Sequence, residues 1–140
     1  MIEAKRMAQK LISRFQSNDP FRIADSLDYI VIFVSLRGIR GFHQYVQRNH
    51  IIYIDNSLDE VQQRWVCAHE LGHIFLHPHL NKMFMANHTY SVQSRYEVEA
   101  DRFAACLCYP DLREEFDGCS SAQIAESLQL PPSLVEYAMK

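Results

Sequence analysis

The chain has 140 residues and a mass of 16.4 kDa, a length that fits one compact domain with its own core. Apolar residues make up 48% of it, which excludes a disordered chain. The net charge of -3, with basic residues scattered, gives no electrostatic footprint for nucleic acid.

Ala4, Met7, Ala8, Leu11 and Phe15 recur at helical spacing, so residues 4–16 read as a helix. Asp19 suits an N-cap and Pro20 the first helical position, which starts a short second helix over residues 20–27. Residues 29–34, YIVIFV, are β-branched and aromatic and read as a buried strand. Gly38 and Gly41 mark a turn, residues 42–46 a second strand, Arg48-Asn49 a turn and residues 51–55 a third strand. Together they form an antiparallel meander. Ser57-x-x-Glu60 has the capping-box pattern, and the helix behind it runs to Pro78. Residues 80–94 read as a loop, with an extended piece near Met83–Met85. Residues 95–108 read as a helix closed by Pro110, and residues 120–140 as two short helices broken at Pro131-Pro132.

No apolar run is long enough to cross a bilayer. The start of the chain, MIEAKRMAQKLISRF, lacks a signal-peptide core. A cytoplasmic protein is therefore expected, with Cys67, Cys106, Cys108 and Cys119 as reduced thiols. The Cys106-x-Cys108 pair reads as small buried helix residues rather than metal ligands.

The chemistry concentrates in AHELGHIFLHPH, residues 68–79. His69-Glu70-Leu71-Gly72-His73 fits H-E-x-x-H on a helix. Residues four apart share one helix face, so His69 and His73 can reach one ion. Glu70 lies beside that face, where its carboxylate can act as a base. Zinc lowers the pKa of water toward neutrality, and such a base takes the proton during attack on a peptide carbonyl.

A catalytic zinc needs a third protein ligand. His77 sits two turns from His69, too far along a straight helix to share an ion with both. His79 stands where the third histidine of H-E-x-x-H-x-x-G-x-x-H would fall. Leu76 occupies the glycine position of that pattern and lacks the freedom for its sharp turn. The third candidate lies in YEVEADRFAA, residues 96–105. On a helix, Glu97, Ala100, Asp101 and Ala104 share one face. The alanines permit close approach to Gly72; Glu97 would then supply an oxygen ligand, and Asp101 could accept the free ring N–H of a ligand histidine. Ser94-x-x-Glu97 is also a capping-box pattern, which competes with that role for Glu97. Glu99 points elsewhere and reads as a solvated partner of Arg95 or Arg102.

The combination of AHELGH with YEVEADRFAACLCYP resembles the ImmA/IrrE family of zinc metallo-endopeptidases, and the likeness extends over nearly the whole chain. The resemblance implies an intracellular, phage or mobile-element type peptidase. Its partner would be a helix-turn-helix repressor, cleaved to relieve repression. Carried over by position, His69, His73 and Glu97 bind one zinc ion and Glu70 is the general base. The family often has Asn at the place of Asp101, and either residue accepts a hydrogen bond. The expected architecture is α+β: a small three-stranded antiparallel sheet on a helical core, with a zincin-like active-site helix and a second helix supplying the third ligand. Residues 1–140 form one metallopeptidase domain that includes the C-terminal helical pair. An alternative function is a non-enzymatic repressor-binding module with a structural or vestigial zinc site.

A transition-state oxyanion needs a donor besides the metal. His88, Tyr90, Arg95 and Tyr96 are the candidates, for that role or for substrate contact. An edge of the small sheet offers one wall of the cleft for an added peptide strand. Residues 123–135 faintly echo a helix-turn-helix, but Gln129 replaces the turn glycine and the second helix offers almost no basic or amide side chains. They read as a helical pair packed on the domain, not as a DNA reader. His43 and His50 read as ordinary strand and turn histidines.

Overall fold

The computed structural model describes residues 3–78 and 90–140, with side chains from residue 95 onward in the second segment. His79, His88 and the extended piece expected near Met83–Met85 lie outside the described residues, as does the side chain of Tyr90. The described elements are α1 (Ala4–Phe15), α2 (Pro20–Ser26), β1 (Ile30–Val34), β2 (Gly41–Val46), β3 (Asn49–Asp55), α3 (Glu60–Leu76), α4 (Tyr90–Cys108), α5 (Leu112–Glu115), α6 (Ser121–Leu128) and α7 (Pro132–Met139). The architecture is α+β, as expected. Among the described residues no helix is long and apolar enough to cross a membrane.

Local capping chemistry sets several boundaries. The Asp19 carboxylate accepts from the Phe21 N–H at 3.0 Å, and Pro20 follows as the first residue of α2. At α3 the capping box is Asp59 with Gln62, not Ser57 with Glu60: Asp59 Oδ1 accepts from the Gln62 N–H at 2.8 Å. The Ser57 hydroxyl instead donates to Asp55 at 2.7 Å. α4 begins at Tyr90, so residues 90–94 are helical rather than loop. A first turn without an apolar stripe leaves no periodic signal. That early start also removes the capping-box reading of Glu97, which lies two turns inside the helix.

The three strands exist, but the sheet is mixed rather than an antiparallel meander. Its order is β1-β3-β2, with β1 parallel to β3 and β2 antiparallel to it. The β2–β3 hairpin closes through Gln47 and Arg48, both at positive φ (50° and 67°). Two such residues match the right-handed twist of the strands they join. The ends of β1 and β3 are tied together by the Asn56 N–H on the Val34 carbonyl (3.0 Å) and the Leu36 N–H on Asp55 Oδ1 (3.2 Å). β1 is therefore an edge strand, not a buried one. Ile30, Ile32, Phe33 and Val34 are exposed, while Ile52 and Ile54 of the central strand are fully buried. Strand composition reports a preference for extended backbone and says little about which neighbours a strand acquires.

One buried cluster joins the elements, drawing on Leu11, Ile23, Ile52, Leu71, Phe103 and Leu107. Ile124 and Ala125 of α6 and Leu134, Val135 and Ala138 of α7 belong to the same cluster. The tail thus turns its apolar face inward, and Gln129 adopts the left-handed conformation at the turn (φ 57°).

Candidate active site

α3 and α4 pack closely because Gly72 has no side chain. A Cβ there would lie 3.0 Å from Phe103 Cδ1 and 3.2 Å from both Cα and O of Ala100. The contact brings the faces of His69/His73 and Glu97/Asp101 together, as the small-plus-acidic pattern on α4 leads one to expect. His69 Nε2 lies 2.8 Å from Glu97 Oε2, His73 Nε2 lies 3.1 Å from Glu97 Oε1, and the two Nε2 atoms are 3.2 Å apart.

These three residues form a group that could hold a metal ion. A tetrahedral ion with ligands at about 2.0–2.1 Å sets neighbouring donors about 3.3 Å apart. The cluster already stands near that spacing, so the donor set fits a small N/O-ligated cation. Glu97 keeps more than a third of its side chain exposed, whereas His73 is almost wholly enclosed. The site therefore opens on the Glu97 side.

Each imidazole is also held from behind. His69 Nδ1 lies 2.8 Å from Asp101 Oδ1. A carboxylate can only accept, so this nitrogen carries the proton and turns the Nε2 lone pair toward the cluster when the ring is neutral. His73 Nδ1 lies 3.2 Å from His77 Nδ1, and His77 Nε2 lies 2.7 Å from Glu99 Oε2. Glu99 is thus bound to His77 rather than standing as a solvated arginine partner. His77 is outside the ligand group, as helix geometry requires, yet it is buried directly behind His73.

Glu70 is 3% exposed, and a carboxylate that deep needs a partner. His43 Nδ1 on β2 provides one, donating to Glu70 Oε1 at 2.8 Å. The approach depends on Gly41, two residues earlier on the same strand face. A Cβ at Gly41 would come within 2.4 Å of Val66 Cγ1 and 2.7 Å of the Tyr53 carbonyl. Val66 is one helical turn before Glu70, so Gly41 and His43 seat β2 along two successive turns of α3. His43 is therefore no ordinary strand histidine.

The cluster perturbs its own titrations. Burial lowers the His69 imidazole, but hydrogen bonds to Asp101 and Glu97 and the nearby carboxylate charges outweigh it, lifting the pKa to about 9. At His73 burial wins and the pKa falls. Burial alone would raise Glu97, yet the two imidazoles hold it well below the usual carboxylate range.

Of the candidate oxyanion contacts, Arg95 and Tyr96 are paired with each other. The Arg95 guanidinium donates to the Tyr96 hydroxyl at 2.9 Å, and the Tyr96 ring meets His77 edge-on at 4.6 Å. His50 sits between the rings of Tyr29 and Tyr45, each centred 4.6 Å away. Sequence reasoning missed His43, His77 and Glu99 as parts of the site. His77 carried a faint signal, one turn beyond His73 on the same face. His43 carried none, because its partner is 27 residues away and reached only through the sheet.

Comparison with known proteins places this arrangement. The Peptidase_M78 family, described as the IrrE N-terminal-like domain, matches residues 25–138. A protein of Bacillus phage phi105 named "Uncharacterized immunity region protein 2" is 39% identical over 108 residues, covering 76% of this chain and 68% of that protein. "Metallopeptidase ImmA" of Bacillus subtilis (strain 168) is 29% identical over 142 residues, covering 96% of this chain and 83% of that protein. With more than half of its length matched and its two histidines and glutamate gathered on facing helices, the chain belongs to the Peptidase_M78 family of metallopeptidases.

Proposed function

We propose that the chain is a zinc-dependent endopeptidase of the gluzincin type that cleaves a helix-turn-helix repressor. The observation that carries the reading is the convergence of His69 Nε2, His73 Nε2 and the Glu97 carboxylate beside a buried Glu70. In this reading His69, His73 and Glu97 hold the zinc. A bound zinc ion supplies Lewis acidity, acidifying water and polarising the scissile carbonyl. Glu70 takes the proton from the attacking water and returns it to the leaving amine. His43 fixes Glu70 Oε1 and so aims the carboxylate. Among the described residues β2 is an edge strand of the sheet and contacts α3, so a peptide added along it would run near the helix that carries Glu70. The relative named for a phage immunity region supports a regulatory protein as substrate.

The test is incubation of the zinc-loaded chain with helix-turn-helix repressors encoded in the same genome, followed by mass spectrometry of the products. Wild type should yield two fragments. Glu70→Gln should keep its metal and yield none, and His73→Ala should lose both. A Glu70→Gln variant that still cleaves refutes the base assignment. A Glu70→Gln variant that relieves repression in cells as well as wild type favours a binding module instead.

A further inference from the structure

We propose that His77 and Glu99 form a positioning relay behind His73, matching Asp101 behind His69, and that the pair sets the tautomer His73 needs to bind metal through Nε2. The proposal rests on the metal-site reading above and adds two residues that neither bind the ion nor touch substrate.

Metal ligation through His73 Nε2 leaves one assignment of protons. A neutral imidazole that ligates through Nε2 must carry its proton on Nδ1. His73 Nδ1 faces His77 Nδ1 at 3.2 Å, so His73 donates and His77 accepts. A neutral His77 that accepts at Nδ1 carries its own proton on Nε2. That atom lies 2.7 Å from Glu99 Oε2, which can only accept when ionised. Each contact is satisfied in one direction, from His73 through His77 to Glu99. Reversing the first bond would place a proton on His73 Nε2, where the ion must sit.

The relay is also built to stay in place. His77 ends α3, and its backbone N–H donates to the His73 carbonyl at 2.9 Å, so main chain and side chain tie it to the same residue. The Tyr96 ring packs edge-on against the His77 ring. The His77 side chain is 4% exposed, whereas Glu99 keeps 30% of its side chain in solvent. Glu99 thus ends the chain of bonds where water can solvate its charge. The two partners lie 22 residues apart in the chain, so His77 with Glu99 joins α3 to α4 behind His73 as His69 with Asp101 does behind His69.

The experiment is titration of the metal-free full chain with Co(II) and Zn(II), reading affinity by competition with a chromophoric chelator and geometry from the cobalt d–d bands. His77→Leu removes the acceptor. His77→Gln restores it, because an amide oxygen can accept from His73 Nδ1–H while the amide nitrogen donates to Glu99. Glu99→Ala removes the end of the relay at a partly exposed position where folding is safe. His77→Leu and Glu99→Ala should weaken metal binding roughly 10–100-fold, the usual effect of losing such a partner, and should shift the cobalt bands. His77→Gln should recover most of the loss. A Glu99→Ala variant with the affinity and spectrum of wild type overturns the relay. So does a His77→Gln variant as impaired as a folded His77→Leu, because His77 would then only fill space. A wild-type chain that takes up no metal, or a His69→Ala variant that binds as well as wild type, overturns the underlying metal-site reading instead.

Discussion

Replacing Gly72 by alanine tests whether helix approach sets the site. The added Cβ would meet Phe103 Cδ1 at 3.0 Å and two backbone atoms of Ala100 at 3.2 Å. Phe103 is fully buried and the other two atoms belong to the α4 main chain, so none can simply rotate away. Ordinary carbon contacts lie near 3.5–4.0 Å, so the helices must part by about 0.5 Å. Overpacking of this kind costs about 1–3 kcal/mol. Alanine offsets about 1 kcal/mol of it through its better helix propensity. The net loss is about 1 kcal/mol, which lowers Tm by about 3–5 °C for a domain of this size. The larger consequence falls on the metal. Glu97 rides on α4 and the histidines on α3, and metal–ligand distances tolerate only about 0.2 Å of error. Zinc affinity should fall roughly tenfold or more, as when a supporting contact is lost. Thermal unfolding of the metal-free chain and a zinc competition titration measure the two effects separately. A Gly72→Ala variant with unchanged or raised Tm and parental zinc affinity would refute the close-packing account of the site.

Three further outcomes follow from the same geometry. His43→Ala should lower kcat while leaving zinc affinity unchanged, because His43 holds Glu70, the proposed base, and none of the proposed ligands; an equal loss of zinc would place it in the metal site instead. In the metal-free chain the two histidines oppose each other with pH. His69, raised to about 9, contributes stability that is complete below 6.5 and lost as pH rises through about 9, whereas His73, lowered by burial, loses stability as pH falls below 6.5. The Tm of the chelator-treated chain should therefore decline from pH 6.5 toward 9, and His69→Asn should flatten that decline; a Tm that climbs over this range contradicts the assignment. Burial pushes the Cys106 thiol up to about 11 and Cys108 to about 12, while Cys119 is exposed. One thiol should then react rapidly with maleimide at pH 7.5 in the folded chain and all four in denaturant, with Cys119→Ser removing the rapid phase. Fast labelling of a second thiol would contradict the burial.

Local rules carried much of the molecule. The i, i+4 spacing of His69 and His73 holds on any helix, so their convergence was readable before any packing was known. The approach of Glu97 to the two histidines was readable because the face of α4 that carries Glu97 and Asp101 also carries Ala100 and Ala104, and close helix approach needs such small residues. The start of α2 was written in Asp19-Pro20, since capping involves only neighbours in sequence.

Tertiary structure decided what depends on partners distant in the chain. Residues 29–34 have the composition of a strand whether its faces are covered or open, and only the assembled fold leaves Ile30, Ile32 and Val34 of this edge strand exposed. His43 meets Glu70 because Gly41 lets β2 lie against α3, a contact between surfaces that no periodicity encodes. Glu99 shares its helix with two arginines that could have paired with it, yet it bonds His77 across the helix interface. A buried imidazole left without an acceptor costs more than an exposed ion pair returns, so docking of α3 on α4 gives the carboxylate to His77.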